Sequence, residues 1–220
     1  MKQMWNERFG KEEYAYGKEP NSFFKQEIDK LEPGKILLLG EAEGRNGVYA
    51  AKLGWEVDAV DWSEEGKKKA ENLAAENDVK INYIVSDLAG YTPEKNNYDA
   101  AALIFLHLPP SLREEVHKKV VDSLKPGGIV VLESYAKEQI KNNSGGPKDP
   151  DLLHSLEEVF TDFQDLDINS FSKETTHLAE SRLHTGGQRL YALSGKKADP
   201  CRSVLRNNLN CRNSSPGPFS

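Results

Sequence analysis

Four short stretches of this 220-residue chain have the residue types and spacing to do chemistry. Gly40-Glu41-Ala42-Glu43-Gly44-Arg45-Asn46-Gly47 follows the apolar run KILLLG. Its small residues let backbone approach a ligand closely and turn into a helix N-terminus. Asp61 ends the next β-rich run, WEVDAVD. It falls about 20 residues past the first glycine, where an acid holds the hydroxyl pair of a ribose. Ser86-Asp87-Leu88 lies at the end of INYIVSD, and Phe105-Leu106-His107-Leu108 at the end of YDAAALIFL. A plain strand-to-helix turn would use the same glycines, so the loop alone decides little. Loop and acid together point to a ligand that carries a nucleoside.

The loop chemistry narrows the ligand. A dinucleotide fingerprint wants G-x-G-x-x-G, but Arg45 occupies the third glycine position and Gly44 comes one residue early. Glu41 and Glu43 would also repel a pyrophosphate. A cationic ligand with a free amino group suits the loop better, and S-adenosylmethionine joins adenosine, a sulfonium and an ammonium.

Strand ends converge on one ligand only if the strands lie parallel in one sheet. The patterning predicts this. Apolar runs at 35–40, 55–61, 81–87, 98–106 and 129–135 alternate with helical segments, which is the signature of a parallel sheet covered on both faces. EEGKKKAENLAAEN after Ser63 and LREEVHKKVVDSL after Pro110-Ser111 are the clearest helices. His117 and the run Lys67-Lys68-Lys69 read as parts of solvated helix faces. Past residue 136 a polar loop (137–150), a short amphipathic helix (151–160) and two strands (163–171 and 188–194) joined by a loop are expected. The fold class is therefore α/β: a doubly wound, mostly parallel, seven-stranded sheet with a C-terminal antiparallel strand pair.

Residues 1–34 hold Trp5, Phe9, Tyr14, Tyr16, Phe23 and Phe24, too many aromatics for a solvated arm, and are read as an aromatic cap. Residues 35–195 form the catalytic domain. Residues 196–220, rich in Asn, Ser, Pro and Arg, read as a flexible tail. Both cysteines, Cys201 and Cys211, fall in that tail, so the core has no disulfide framework, and no metal site is expected. Lys and Arg total 29 against 35 Asp and Glu, a net charge of −6, which argues against a nucleic-acid partner. No apolar stretch approaches bilayer length and the N-terminus has no secretory h-region. A cytoplasmic protein acting on a small molecule is expected, without a membrane partner.

ILLLGEAEGRNGVYAAKLGWEVDAVDWS resembles the first two signature segments of class I S-adenosylmethionine-dependent methyltransferases, and LKPGG resembles the turn before their fifth strand. More narrowly, WNERF, YAYGKEPNSFF, GEAEGRN, GGPKDPDLLHSLEE and ESRLHTGG resemble the branch that includes tellurite-resistance methyltransferases. The resemblance spans about residues 4–195 and implies a Rossmann-like fold, S-adenosyl-L-methionine as cofactor and methyl transfer to a small nucleophile, such as a thiol or a chalcogen oxyanion. It places Gly40, Ala42 and Gly44 under the methionyl part, with Arg45 beside them. Asp61 falls on the ribose, Trp62 against the adenine, and Asp87 with Leu88 at its edge. Phe105 is added from the fourth strand end. Two positions depart from the family pattern: Leu38 stands where strand one carries an acid, and Ala42 where the loop carries a glycine. Glu41 is then placed to meet the methionyl ammonium.

Methyl transfer asks for alignment and dryness, with a base only where the acceptor must lose a proton. Tyr14, Tyr16 and Tyr135 could face the sulfonium. Tyr16 is the candidate at the methyl, while Arg182 and His184 could meet an anionic acceptor and move its proton. Two other functions use the same loop: a non-catalytic adenosyl-ligand binder and a nicotinamide-dependent reductase, the latter opposed by Glu43 and Arg45.

Overall fold

Strands form where aliphatic residues can be buried on both sides, and period-2 alternation then assigns each side chain to a face. In β1 (Lys35–Leu39) and β4 (Tyr98–Ile104) nearly every side chain is buried. The computed structural model describes residues 2–142, 144–181 and 184–198, with 176–181 and 184–186 described for backbone alone. Chain order runs α1 (Lys2–Phe9), α2 (Ser22–Ile28), β1, α3 (Arg45–Lys52), β2 (Glu56–Asp61), α4 (Glu64–Glu76), β3 (Asn82–Val85) and β4. It continues with α5 (Pro110–Ser123), β5 (Leu124–Tyr135), two short 3-10 turns (Lys137–Lys141 and Pro150–Leu152), α6 (Leu156–Phe163), β6 (Leu166–Ser181) and β7 (His184–Lys197).

One seven-stranded sheet results, in the order β3-β2-β1-β4-β5-β7-β6. β1 to β5 pair in parallel, and β7 enters antiparallel beside β5 with β6 antiparallel outside it. Leu37, Leu39, Leu103 and Leu132 face α5 and α6 through Val116, Val120, Val159 and Phe163. Ile36, Leu38, Ala100, Ala102 and Val131 face the other way, onto Phe24 and Ile28 of α2, Ala50 of α3 and Ala70 of α4. The chain leaves β1 in one direction toward β2 and β3, then returns to β4 on the other side of β1. Ligands of open α/β sheets lie at that reversal.

Four expectations are corrected. Most of the loop expected between the last two strands is strand: β6 and β7 pair from Leu166↔Lys197 to Ser181↔His184, with register shifts between Ile168 and Ser170 and between Ala179 and Ser181. SKETT is polar on every side and lacks an apolar period because this ribbon runs past the sheet's core. α6 begins at Leu156, later than expected, because Ser155 and Glu158 form a reciprocal capping box there. β7 runs to Lys197, past the expected start of the tail, with Lys196 opposite Ile129; residues 199–220 lie outside the described residues. His117 is buried rather than solvated, with its Nδ1 2.7 Å from Asp162 Oδ2 and its ring 4.8 Å from Phe163. Docking of α6, which local sequence does not report, covers it.

Candidate active site

A cleft opens where β1 and β4 part. The loop after β1 supplies one wall through Gly40, Glu41, Ala42 and Arg45; Asp61 and Trp62 continue it after β2. Asp87 and Leu88 follow after β3, and Phe105 to Leu108 after β4. Trp5, Phe9, Tyr16 and Gly17 lie across the opening from the N-terminal segment. Four separate strand ends thus meet at one site, as the sheet topology requires.

Backbone shape in the loop follows from its contacts. Gly40 has φ +71°, and a Cβ there would stand 2.8 Å from the Leu106 side chain. Ala42 carries φ +54°, a left-handed conformation that costs an L-residue about 1 kcal/mol or more. Two bonds hold it: its N–H donates to Asp61 Oδ2 at 3.0 Å, and its carbonyl accepts from Tyr83 Oη at 2.6 Å. Phe105 also has positive φ, +53°. Its N–H donates to the Glu133 carbonyl at 2.8 Å, and its ring stacks on Tyr135 at 4.8 Å. Two strained residues therefore border the same cleft, where strain is held by surrounding bonds.

Two carboxylates face the ligand space. Asp61 Oδ1 accepts from the Ser63 N–H at 2.9 Å while Oδ2 holds Ala42, so the acid both caps the turn into α4 and fixes the loop. Burial raises its carboxyl above the ordinary range, although these backbone donors oppose the shift. Glu41 Oε1 accepts from the N–H groups of Asn46 and Gly47 at 2.9 and 2.7 Å, capping α3. Burial lifts its carboxyl to about 7 against those donors and the nearby Arg45.

Of the residues singled out from sequence, Gly40, Glu41, Ala42, Arg45, Asp61, Trp62, Asp87, Leu88, Phe105 and Tyr16 line the cleft. Gly44 does not: with φ +92° it packs on α4, where a Cβ would stand 2.6 Å from that of Ala70. Tyr14 also sits away from the cleft, its hydroxyl donating to the Lys69 carbonyl at 3.1 Å and its ring against Lys69 Nζ. Tyr135 is fully buried behind Phe105 and His107 and forms no part of the cleft wall. Tyr16 Oη accepts from Arg8 Nη1 at 2.8 Å, and burial pushes the phenol up, so it stays protonated at neutral pH. Arg182 lies outside the described residues; His184 opens β7, and its side chain lies outside them too.

Some wall residues escaped the sequence reading. Trp5 and Phe9, four apart on α1, stack at 5.4 Å, and that spacing could have paired them. Lys69, behind the wall, reads as solvated from sequence, yet its ammonium meets the buried Glu43 at 2.8 Å. Helix α4 shows no local sign of that pairing, because the partner comes from the loop.

Residues 36–128 match the family described as "Methyltransferase domain". That match covers less than half of the chain, and the sheet with its closing antiparallel pair has the fold of class I methyltransferases. A curated relative, the carboxy-S-adenosyl-L-methionine synthase of Nautilia profundicola, is 33% identical over 100 residues, covering 44% of this chain and 43% of the relative. The chain thus matches less than half the length of that relative. Among solved structures, TehB of Haemophilus influenzae superposes with a TM-score of 0.68 at 16% identity, covering 81% of this chain and 62% of that one. The N-methyltransferase NodS of Bradyrhizobium japonicum WM9, bound to S-adenosyl-L-homocysteine, gives 0.67 at 11% identity, with 90% and 98% covered. The [4+2]-cyclase SpnF gives 0.64 at 14% identity, with 89% and 92% covered. One fold serves more than one chemistry, so the reaction must be argued from the residues. Among the described residues, no helix is long and apolar enough to cross a membrane, and no cluster of His, Cys, Asp or Glu could hold a metal.

Proposed function

We propose that this chain transfers a methyl group from S-adenosylmethionine to a small-molecule nucleophile, a thiol or a chalcogen oxyanion. The observation that carries the reading is the position of Asp61 and Glu41 on the cleft at the β1/β4 reversal. Their chemistry fits the cofactor. Carboxylates there favour a cationic ligand, and the opposite edges of the Asp61 oxygens remain able to accept from ribose hydroxyls. Glu41 suits the methionyl ammonium, Trp62 and Leu88 the adenine faces, and Asp87 its polar edge. When bound, the cofactor supplies a methyl group activated on a sulfonium.

The rest of the work is alignment and water exclusion, because an in-line displacement gains most from fixed geometry. Trp5, Phe9, Tyr16 and Phe105 make an aromatic wall that excludes water, and their π-faces favour positive charge. Tyr16, held protonated and donated to by Arg8, orients rather than deprotonates. Contact with the acceptor and removal of its proton are assigned to Arg182 and His184. Two features favour a second reading, a binder without turnover: Leu38 is buried among apolar neighbours where an acid is expected, and Ala42 keeps a Cβ in a strained loop. Titration with S-adenosylmethionine, followed by product release with thiols, selenite and tellurite, separates the two. Binding with product supports transfer, and binding without product for any acceptor supports the second reading.

A further inference from the structure

Glu43, Arg45 and Asn46 all make contacts with the N-terminal segment that crosses the cleft. Glu43 Oε2 accepts from the Ala15 N–H at 2.7 Å and the Tyr16 N–H at 3.4 Å, while its Oε1 takes Lys69 Nζ at 2.8 Å. Lys69 also donates to the Glu13 carbonyl at 2.6 Å. Arg45 Nη1 donates to the Tyr16 carbonyl at 3.3 Å, and Asn46 Oδ1 accepts from the Asn21 N–H at 2.9 Å. The strap from Glu13 to Asn21 is thereby tied to the ligand loop at several points. Phe9 meets Tyr16 edge-on at 6.2 Å, so the position of Tyr16 bears on the whole aromatic wall.

The Glu43–Lys69 pair is nearly buried, with side chains 2% and 13% exposed. Ion pairs that give up so much water stabilise weakly in themselves, but an apolar pair of equal size would leave the Ala15 N–H without the acceptor that Glu43 Oε2 supplies. What such a pair adds is one defined geometry. We propose that Glu43 is a positioning residue for methyl transfer, latching the Ala15–Tyr16 backbone so that Tyr16, Phe9 and Trp5 wall the cleft. The activity part of this inference rests on the methyl-transfer reading; the latch itself does not.

The test compares the full-length chain with Glu43→Ala and Glu43→Gln, reading amide exchange at Ala15 and Tyr16, S-adenosylhomocysteine affinity, and kcat and KM with an active acceptor. In Glu43→Ala, exchange at Ala15 rises at least ~10-fold while β1 and β4 amides hold. Turnover falls ~10-fold, with KM for the acceptor changed by less than about 3-fold, as misplaced alignment predicts. Glu43→Gln keeps an oxygen for the Ala15 N–H, so it exchanges only about 3-fold faster than native and recovers most of the turnover. Native exchange at Ala15 in Glu43→Ala overturns the latch. Equal turnover losses in the two variants overturn the positioning role. If Glu43→Ala does not fold, Glu43→Gln decides alone: faster Ala15 exchange supports the latch and native exchange overturns it. A native chain that neither binds S-adenosylhomocysteine nor turns over refutes the functional reading instead, and the exchange data still judge the latch.

Discussion

Replacing Asp61 with Asn probes the loop and the ligand together. Both carboxylate oxygens accept backbone N–H groups, Ser63 on one and Ala42 on the other. An amide can serve only one of them and turns an NH₂ toward the other donor. A lost hydrogen bond to a charged group costs about 1.5–3 kcal/mol. Burial already disfavours the ionised Asp61, as its raised pKa shows, so removing the charge returns part of that loss. A net cost of about 1–2 kcal/mol follows, which in a chain of this size lowers the melting temperature by about 3–6 °C. The ligand response should fall as well. A native-state ligand at 100 times its Kd stabilises by about 2.7 kcal/mol, and a tenfold weaker one by about 1.4 kcal/mol less. Thermal melts of Asp61→Asn with and without S-adenosylhomocysteine measure both effects. A variant with native melting temperature and the full ligand shift would refute the role given to Asp61.

Glu41 titrates near 7 in the fold against an ordinary 4.5, so the stability its protonated form contributes below pH ~4.5 is lost as pH rises to ~7. Urea melts of Glu41→Gln should therefore gain on native between pH 5 and 8, and native S-adenosylhomocysteine affinity should rise over pH 6–8 where the variant's does not. Burial holds His117 and His154 below their ordinary pKa, so their contribution is present above pH ~6.5 and lost as pH falls. His154→Leu should flatten that acid limb in urea melts at pH 5 against 7.5. Lys197 Nζ donates to the Leu124 carbonyl at 2.7 Å and to Asn96 at 3.0 Å. A chain ended after Gly195 should accordingly melt about 2–4 °C below one ended after Ala198, a loss of roughly 1 kcal/mol.

Much of the sheet was legible because its strands are buried on both faces and read as unbroken aliphatic runs, KILLL and AALI among them. The cleft followed from the same reading, since residues after such strands must meet where the chain order reverses. Legibility failed where tertiary contact supplies the environment. Glu43 reads as a carboxylate turned toward the ligand and Lys69 as part of a solvated face, yet the two pair with each other, 2% and 13% exposed, once the strap and α4 close on them. Gly44 reads as a ligand glycine, yet its freedom serves close packing on Ala70. The β6–β7 ribbon was partly missed because a strand pair extending beyond the core needs no apolar alternation.

Calorimetric titration of the full chain with S-adenosylmethionine, S-adenosylhomocysteine and NADH tests the central claim most directly. Saturable binding at one site per chain for both adenosyl ligands, with no heat from NADH, is the predicted result. Silence toward S-adenosylmethionine at millimolar concentration, or tighter binding of NADH, would contradict the assignment of the acidic cleft.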